Sequence, residues 1–580
     1  MRQQHTRQLI RLAVLFATLA LLAGCNLPRQ AKQSDLAKDQ TLKMVVPYAG
    51  TDQSPFALDP ATAYGAAGVQ TTSLLFDGLV TIDRNEHIEP WGAIAWTVSP
   101  DGLEYTFVLR PNQRFSDGVA VKPSDYAWSM DRAASPCLGS SLAYYLAAIR
   151  YATAFSKETC SSGQAQGNIT TLISLSILPD DSSNTLTIRL AQPAGYFLAA
   201  LSYPTSYALE RSAVSGADLG KDGVWVKYLS TGPTGQGGSG MFYVASTTPA
   251  NQDTPARLTL KPNPHWWGLR SGKTLHFTEI DLIESSAQTA YSGMFRSDPT
   301  IAWTALSPDD PDINAMKRQP YYHAQPALTI SGIAFNWKIT PFDDINARKA
   351  FCLAINRDQI SQQIYQSLNI PSWHLVPQGM DGYNAQLKGI DDAQTTGNAS
   401  LAREYWQRYL AARGEKAPAV KLVTWFTPQI TKAAMAAYQQ QWLQALGVIV
   451  TQQTPPGVIY LEGNPNPFQM FRFIWAADYP DPQDFLSQLF RSDAPYNTQS
   501  ASVGAADTLM KQADAMPDMS QRIPLYNQAE QLLIDNVAVC PLFQYVNHYA
   551  LRTWVKGDFV EDARGLFPND AWVSGYIAKQ

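Results

Sequence analysis

The stretch FRFIWAADYPDPQDFLSQLF, residues 471–490, joins an apolar strand to two ionisable side chains, Arg472 and Asp478. Side chains that alternate between two faces are typical of a β-strand, and this pattern predicts one over residues 471–477. One face holds Phe471, Phe473 and Trp475, and the other face holds Arg472, Ile474 and Ala476. Charged groups in so apolar a strand cost stability unless each one has a partner.

A helix start follows the strand and has polar residues of its own. Asp481 is placed to cap the helix, Pro482 suits the first helical position, and Asp484 favours the helix dipole. The predicted apolar face of this helix consists of Phe485, Leu486, Leu489 and Phe490. Asp478 lies before the cap, so the helix does not require it.

Two interpretations remain open for each of the charged residues. Asp478 is either a turn aspartate that accepts hydrogen bonds from nearby backbone amides, or a ligand contact. Arg472 is either half of an internal ion pair or a second ligand contact. In an extended strand the two residues lie about 20 Å apart, too far to neutralise each other. A short extended zwitterion offers an ammonium group to one and a carboxylate to the other.

Residues 1–24 predict a secretion signal. Arg2, Arg7 and Arg11 precede an apolar run, residues 12–23, that is too short to span a bilayer. The run ends in Leu-Ala-Gly before Cys25, which looks like a bacterial lipobox, whose cysteine becomes the lipidated first residue of the mature chain. The alternative is an ordinary signal with a cysteine nearby by chance.

Length and charge exclude several classes of protein. The 580 residues suffice for two or three domains, and 45% hydrophobic with 16% charged residues indicates a folded chain. Removal of the signal, which has three arginines and no acidic residue, changes the formal net charge from −5 to −8. This mild acidity argues against a nucleic-acid partner. No second long apolar segment follows, so lipid alone is expected to hold the mature protein at the membrane.

Four cysteines remain after the signal, and an exported location permits disulfides among them. They are Cys137, Cys160, Cys352 and Cys540. Three pairings are possible, of which Cys137–Cys160 is the most local. No cysteine has CxxC spacing or a neighbouring histidine, so neither a zinc site nor any cofactor is predicted.

Elsewhere, helix-like and strand-like segments alternate, which predicts a mixed α/β protein with more than one lobe. Asp101-Gly102 lies between two strand-like runs, as a hairpin turn does, and a helix is predicted at about 521–535. The loop GPTGQGGSG, residues 232–240, has the glycine spacing of a dinucleotide fingerprint. Strand-like runs follow it where that fingerprint needs a helix, so a turning loop is the better interpretation.

Five segments in order resemble the family 5 extracellular solute-binding proteins of ABC importers, and within them the oligopeptide- and dipeptide-binding proteins. The likeness covers essentially the whole mature chain. The segments are DGLEYTFVLRPNQRFSDGVAVKPSDYAWS, SGMFYVAS with RLTLKPNPHWWG, IAFNWKITPFDDINARKAFCLAINRDQI, WAADYPDPQDFL and PLFQYVNHYAL. The resemblance implies an α/β fold of the periplasmic-binding-protein-like type II, cluster C, with two main lobes, a hinge and an extra inserted lobe.

The resemblance also implies lobe boundaries. After the signal and a tether at 25–40, lobe I would comprise 41–82, 206–330 and 546–580, lobe II would be an insertion at 83–205, and lobe III would be 331–545. Because the chain crosses between lobes I and III twice, those crossings are the expected hinge.

The site residues that the resemblance implies are Asp478, Arg472, Trp475, Ile474, Ala476 and Tyr545. The aspartate of the W-x-x-D segment, which holds a peptide's α-ammonium in relatives, falls on Asp478. The arginine six residues earlier falls on Arg472, among groups that meet the peptide's carboxyl end. The strand between them would pair with the peptide backbone, and Trp475 and Tyr545 fall near the ligand.

The implied function is a lipid-anchored, monomeric binding protein on the outer face of the cell membrane or in a periplasm. It would capture extracellular peptides by lobe closure and deliver them to a permease with cytoplasmic ATPase subunits. Family members that bind chelated nickel, sugars or haem, or that sense peptides, are the alternatives. An exported enzyme is disfavoured, because the sequence has neither GxSxG nor HExxH.

Overall fold

The computed structural model describes residues 32–579 except 48–55, 57, 64, 212–237, 251–253, 286–289, 415–417, 425–428, 455–466, 495 and 562–568. The predicted signal, the lipidation candidate Cys25 and most of the glycine-rich loop lie outside the described residues. Within the described part, no helix is both long and apolar enough to cross a membrane.

Strands and helices are mixed along the chain, as the sequence predicts. The strands are β1 Thr41–Pro47, β2 Val80–Ile82, β3 Ile88–Pro90, β4 Ala93–Val98, β5 Glu104–Leu109, β6 Thr159–Ser161, β7 Gln164–Gln166, β8 Ile177–Asp180, β9 Thr185–Arg189, β10 Phe242–Thr248, β11 Arg257–Pro262, β12 Glu279–Ser285, β13 Ile301–Leu306, β14 Tyr322–Phe335, β15 Asn369–Pro371, β16 Val420–Val423, β17 Val450–Gln453, β18 Met470–Ala476, β19 Cys540–Leu551, β20 Val555–Lys556 and β21 Tyr576–Ile577. The α-helices are α1 Gly65–Leu75, α2 Pro123–Ala134, α3 Ala152–Phe155, α4 Phe197–Ala200, α5 Trp267–Arg270, α6 Tyr291–Ser297, α7 Ile313–Met316, α8 Ile345–Leu353, α9 Arg357–Gln363, α10 Ala399–Arg413, α11 Gln429–Leu446, α12 Pro482–Phe485, α13 Ser487–Phe490, α14 Gly504–Asp514 and α15 Met519–Asp535.

Three local predictions are confirmed. The chain turns at Gly102, which has a φ of +71°, and β4 pairs antiparallel with β5 on either side. α15 matches the helix predicted at about 521–535. Strands β10 and β11, not a helix, follow the glycine-rich loop, which agrees with the loop interpretation.

One mixed sheet of eleven strands runs through most of the molecule. Its order is β10-β11-β12-β1-β13-β19-β14-β18-β16-β17, and β15 pairs with β19. β14 and β19 are antiparallel neighbours, and their pairing is irregular between Pro326 and Ile330. β19 and β14 lie at the centre of this order, between the half that contains β10–β13 and β1 and the half that contains β16–β18. The backbone hydrogen bonds between β14 and β19 therefore join the two halves of the sheet.

The three largest of the five hydrophobic cores formed by the described residues flank this sheet and a separate four-stranded sheet, β4-β5-β9-β8. Core I contains Leu42, Trp266, Leu282 and Trp572. Core II, inside the chain segment that carries the four-stranded sheet, contains Phe107, Tyr126, Ile188 and Phe197. Core III, the largest, contains Phe335, Phe351, Trp406, Trp442 and Phe490. The lobe boundaries themselves stay predictions.

Two disulfides are present in the described residues. Cys137 pairs with Cys160, 23 residues apart, within residues 83–205, the predicted insertion that is called the inserted segment below. Cys352 pairs with Cys540 across 188 residues. The second bond links α8 to the first residue of β19 and lies inside core III.

The inserted segment touches core III directly. The amide of Gly195 donates to the carbonyl oxygen of Asp514 at 2.8 Å. A Cβ atom at position 195 would collide with the carbonyl oxygen of Met516, a backbone atom that a rotamer change cannot move. Beside this contact, the ring of Tyr196 is stacked over Tyr479, with an interplanar angle of 8°. Glycine is therefore required for the two parts to approach this closely.

We expect Gly195→Ala to separate the inserted segment from core III, because the new methyl group cannot be accommodated against backbone. Overpacking of this kind costs roughly 1–3 kcal/mol. Small-angle X-ray scattering should show a larger radius of gyration for the variant. Gly293→Ala is the matched control, since a Cβ there meets no atom within 4 Å. Identical scattering of all three proteins would contradict the proposed role of the contact.

Candidate functional site

β18 confirms the strand predicted at 471–477, with the predicted alternation of its faces. Phe471 and Phe473 are buried, whereas Ile474 has 41% of its surface exposed and Ala476 is also exposed. The apolar face packs into core III because its aromatic rings lie against the helices beneath the sheet. The other face lies outside this core.

Most of β18 has a strand neighbour on one side only. β14 pairs along its whole length, but β16 reaches only Met470 and Phe471. The amide of Ala477 donates to Leu328 of the β14 side at 2.7 Å. Amides of alternate residues in an antiparallel strand point in opposite directions, so those of Ile474 and Ala476 face the edge that no described strand occupies.

The helix start after β18 forms as predicted. Asp481 caps α12 by accepting a hydrogen bond from the amide of Gln483 at 2.9 Å. Its carboxylate also accepts two hydrogen bonds from the buried guanidinium of Arg522, at 2.7 and 2.8 Å. Asp481 is thus satisfied inside the protein, and it leaves the neighbouring carboxylates without this cation.

Asp478 lies where β18 ends and meets a residue from the inserted segment. The hydroxyl of Tyr144 donates to its Oδ2 at 2.5 Å. Its own amide donates to Oδ2 of Asp484 at 3.1 Å. The hydrogen bonds of the described residues include no backbone amide that donates to the Asp478 carboxylate. The carboxylate is therefore held at the junction of two parts of the molecule.

No cation among the described residues pairs with the carboxylate of Asp478. None of the ion pairs formed by the described residues includes Asp478 or Arg472. Burial raises the pKa of Asp478 from 3.8 to about 6, although the hydroxyls of Tyr144 and Tyr145 oppose the rise. A half-buried carboxylate without a cation is electrostatically costly, and an incoming positive group would relieve that cost.

Aromatic rings surround this carboxylate. Tyr145 stacks on Tyr203 with ring centroids 3.7 Å apart, and on Tyr144 at 4.2 Å. Tyr496 meets the edge of Tyr144 at 4.8 Å and lies 5.3 Å from Trp475. The negative faces of such rings favour a cation near them, which adds to the attraction of the carboxylate.

Arg472 and Tyr545 meet at the other end of the strand. Nη2 of the arginine donates to the tyrosine hydroxyl at 2.8 Å. Both side chains are half-buried. The hydroxyl fixes the guanidinium without neutralising it, so the remaining N–H groups of Arg472 are available to an anion.

A cavity of about 230 Å³ opens beside Asp478. Its lining combines α1, the inserted segment, β14 and the end of β18, represented by Val69, Tyr203, Leu328, Ala476 and Asp478. Of the six predicted contacts, the described lining includes Ala476 and Asp478 but not Arg472, Ile474, Trp475 or Tyr545. No group of three or more metal-ligating side chains occurs among the described residues.

Sequence reasoning missed several residues of the site. Tyr144 is 334 positions from Asp478, and no local pattern connects the two. Trp475, which stays a predicted ligand contact, donates its indole N–H to Asp484 at 3.0 Å, a contact that the sequence did not predict. Asp484 had been attributed to the helix dipole alone. The Y-Y pair at 144–145 was the available signal, but it could be interpreted only once the fold was known.

The sequence profile of the bacterial extracellular solute-binding proteins, family 5, matches residues 87–497. The chain belongs to this family. Its relatives include the periplasmic murein peptide-binding protein MppA of Escherichia coli K12, 25% identical over 562 residues and covering 96% of either chain. The dipeptide-binding protein DppE of Bacillus subtilis 168 is 26% identical over 552 residues, 92% of this chain and 93% of that protein.

Solved structures of the family share the fold. The E. coli murein tripeptide-binding protein MppA superposes with a TM-score of 0.72 at 24% identity, over 94% of this chain and 100% of that one. Haemophilus influenzae OppA in complex with the peptide RPPGFSPFR gives 0.69 at 19% identity, over 94% and 100%. This family 5 protein therefore has the periplasmic-binding-protein-like type II, cluster C fold, with two main lobes and an inserted one, as predicted.

We expect Asp478→Asn to stabilise this family 5 protein at neutral pH. The folded-state pKa of about 6 exceeds the ordinary value of 3.8, so stability is lost as pH rises through this window. The neutral amide escapes that loss. Urea unfolding should show a variant more stable than wild type at pH 8, with a difference that shrinks to zero near pH 4.

The exposed Asp535, changed to Asn, provides the control, and its effect should not follow this window. An Asp478→Asn variant less stable than wild type at pH 8 would mean that Asp478 already has a cation inside the fold.

Proposed function

We propose that this protein is the substrate-binding component of an ABC importer and that its substrate is a peptide with a free amino terminus. One observation carries the proposal: among the described residues, the carboxylate of Asp478 has no cationic partner and lies at the end of a strand edge that no described strand occupies. Several relatives are named peptide-binding proteins, which supports the same ligand class.

The peptide's α-ammonium binds Asp478 in the proposed complex. Closure excludes water, which lowers the effective dielectric and strengthens the ammonium–carboxylate attraction. The hydroxyl of Tyr144 holds the carboxylate in place, and the neighbouring tyrosine rings favour the cation. A ligand without a terminal ammonium would leave the buried carboxylate uncompensated and would bind weakly.

The peptide backbone adds to the sheet as a further strand. The amides and carbonyls of Ile474 and Ala476 face the open edge of β18 and would pair with it. Because every peptide has the same backbone, this pairing gives affinity without reading side chains. The terminal charges then fix the direction, with the amino terminus at Asp478.

Arg472 is the proposed contact of the peptide's carboxylate. The hydroxyl of Tyr545 orients its guanidinium, and a carboxylate can accept two parallel hydrogen bonds from that group. Trp475 lies between the two terminal contacts and packs beside the ligand through its ring. These assignments make the strand from 472 to 478 the measure of peptide length.

Delivery completes the proposed function. Cys25, as a lipidated residue, would anchor the protein outside the cell membrane, and residues 25–40 would tether it there. The monomeric, closed form would dock on permease subunits that cytoplasmic ATPases drive. No catalytic step is proposed.

Asp478→Ala is expected to weaken binding of a free tripeptide by roughly 3–5 kcal/mol, the scale of removing one member of a buried charge pair. An N-acetylated copy of the same tripeptide should bind wild type about as weakly as the free tripeptide binds Asp478→Ala. The acetylated peptide should bind wild type and Asp478→Ala with nearly the same affinity. Calorimetry on the four combinations tests this. The exposed Asp535→Asn variant should bind as wild type does, and equal affinity for free and acetylated peptide would refute the ammonium site.

Peptide affinity is also expected to depend on pH. Only the ionised carboxylate attracts an ammonium, so affinity should fall about tenfold per pH unit once the pH drops below the Asp478 pKa of about 6. Titrations between pH 4.5 and 7 measure the profile. Constant affinity down to pH 4.5 would show that the ligand's positive group binds elsewhere.

A further inference from the structure

Asp484 is a fully buried aspartate whose carboxylate contacts the main chain of Asp478. Its side chain is fully buried, and Oδ2 alone accepts both the indole N–H of Trp475, at 3.0 Å, and the amide of Asp478, at 3.1 Å. Oδ1 is buried and has no hydrogen-bond partner in the described structure. A carboxyl oxygen left unpaired inside a protein is costly, so its retention needs a reason.

The helix does not supply that reason. Asp481 already caps α12 and is paired with Arg522. An asparagine at position 484 could accept the same two hydrogen bonds through its carbonyl oxygen and would avoid the buried charge. The acidic form of this side chain is therefore unnecessary for local folding.

A closed ring of contacts runs through Asp484. It accepts from Trp475, whose ring lies 5.3 Å from Tyr496, which in turn meets Tyr144 at 4.8 Å. Tyr144 donates to Asp478, and the amide of Asp478 returns to Asp484. Loss of the Asp484 carboxylate would therefore remove the contact that fixes the end of β18 and the contact that fixes the ring of Trp475 against Tyr496.

We propose that Asp484 is the positioning residue of the ammonium site: it fixes Trp475 and the main chain of Asp478 from one oxygen atom. This inference rests on the proposed function. Asp484 does not touch the ligand and acts through Asp478.

The charges around the pair favour this role. The amide of Asp478 contacts Asp484, and the hydroxyls of Tyr144 and Tyr145 interact with the carboxylate of Asp478. Asp481 also repels Asp484, and its partner Arg522 is engaged. Burial, then the charge on Asp478, raise the pKa of Asp484 well above its ordinary value. A proton therefore binds this pair of carboxyl groups more tightly than it binds an ordinary aspartate, and a bound ammonium would oppose that proton.

The test uses calorimetry of a neutral tripeptide at pH 7 in two buffers of different ionisation enthalpy, on wild type, Asp484→Asn and Asp484→Ala. Wild type should release a fraction of a proton per peptide bound, and Asp484→Asn should release less while it keeps affinity within about threefold. Asp484→Ala should lose at least about tenfold in affinity, because two donors in half-buried residues lose their acceptor. Equal proton release by wild type and Asp484→Asn, or full affinity in Asp484→Ala, would overturn the proposal.

A second readout needs no ligand and keeps the proposal separate from the proposed function. The indole N–H of Trp475, assigned in nitrogen–proton spectra with Trp475→Phe, should keep its shift and its protection from exchange in Asp484→Asn. It should lose both in Asp484→Ala, and an unchanged signal there would overturn the positioning role. If wild type bound no tripeptide, the proposed function would fail while this signal would still decide the contact.

Discussion

The carboxylate of Asp478 has no cationic partner within the described fold, and several parts of the structure meet at this one charged group. The strand that carries it ends there, the inserted segment reaches it through Tyr144, and a second carboxylate lies behind it. Burial of this charge lowers stability, and a ligand's positive group would restore what is lost. Stability and binding are therefore coupled at this residue, so a feature that weakens the empty protein favours the loaded one.

The large sheet makes this arrangement possible. β14 and β19 join the two halves of the sheet. β14 pairs with β18 along one edge, whereas β16 pairs with the other edge only as far as Phe471. The result is a strand edge that faces a cleft instead of a neighbouring strand. The inserted segment also contacts this half of the molecule, through Gly195 with Asp514 and through Tyr145 with Tyr479. Backbone pairing and charge pairing would then act on the same extended ligand.

Local chemistry allowed the sequence to predict the strand, its two faces and the helix cap at Asp481, because each depends on neighbours within a few residues. The family resemblance supplied the fold class, which no periodicity alone could have supplied. Tyr144 and Gly195 escaped prediction because their partners lie far away along the chain. Asp484 was interpreted as a favourable charge at a helix start, a correct local rule that did not anticipate its contacts with Trp475 and Asp478. The signal at residues 1–24 and Cys25 stay predictions.

A crystal structure of the protein with a free tripeptide, grown near pH 8, tests the central claim most directly. We expect the terminal nitrogen within hydrogen-bonding distance of the Asp478 carboxylate and the peptide backbone paired with Ile474 and Ala476. An amino terminus placed elsewhere, with Asp478 still bound only to Tyr144, would contradict it.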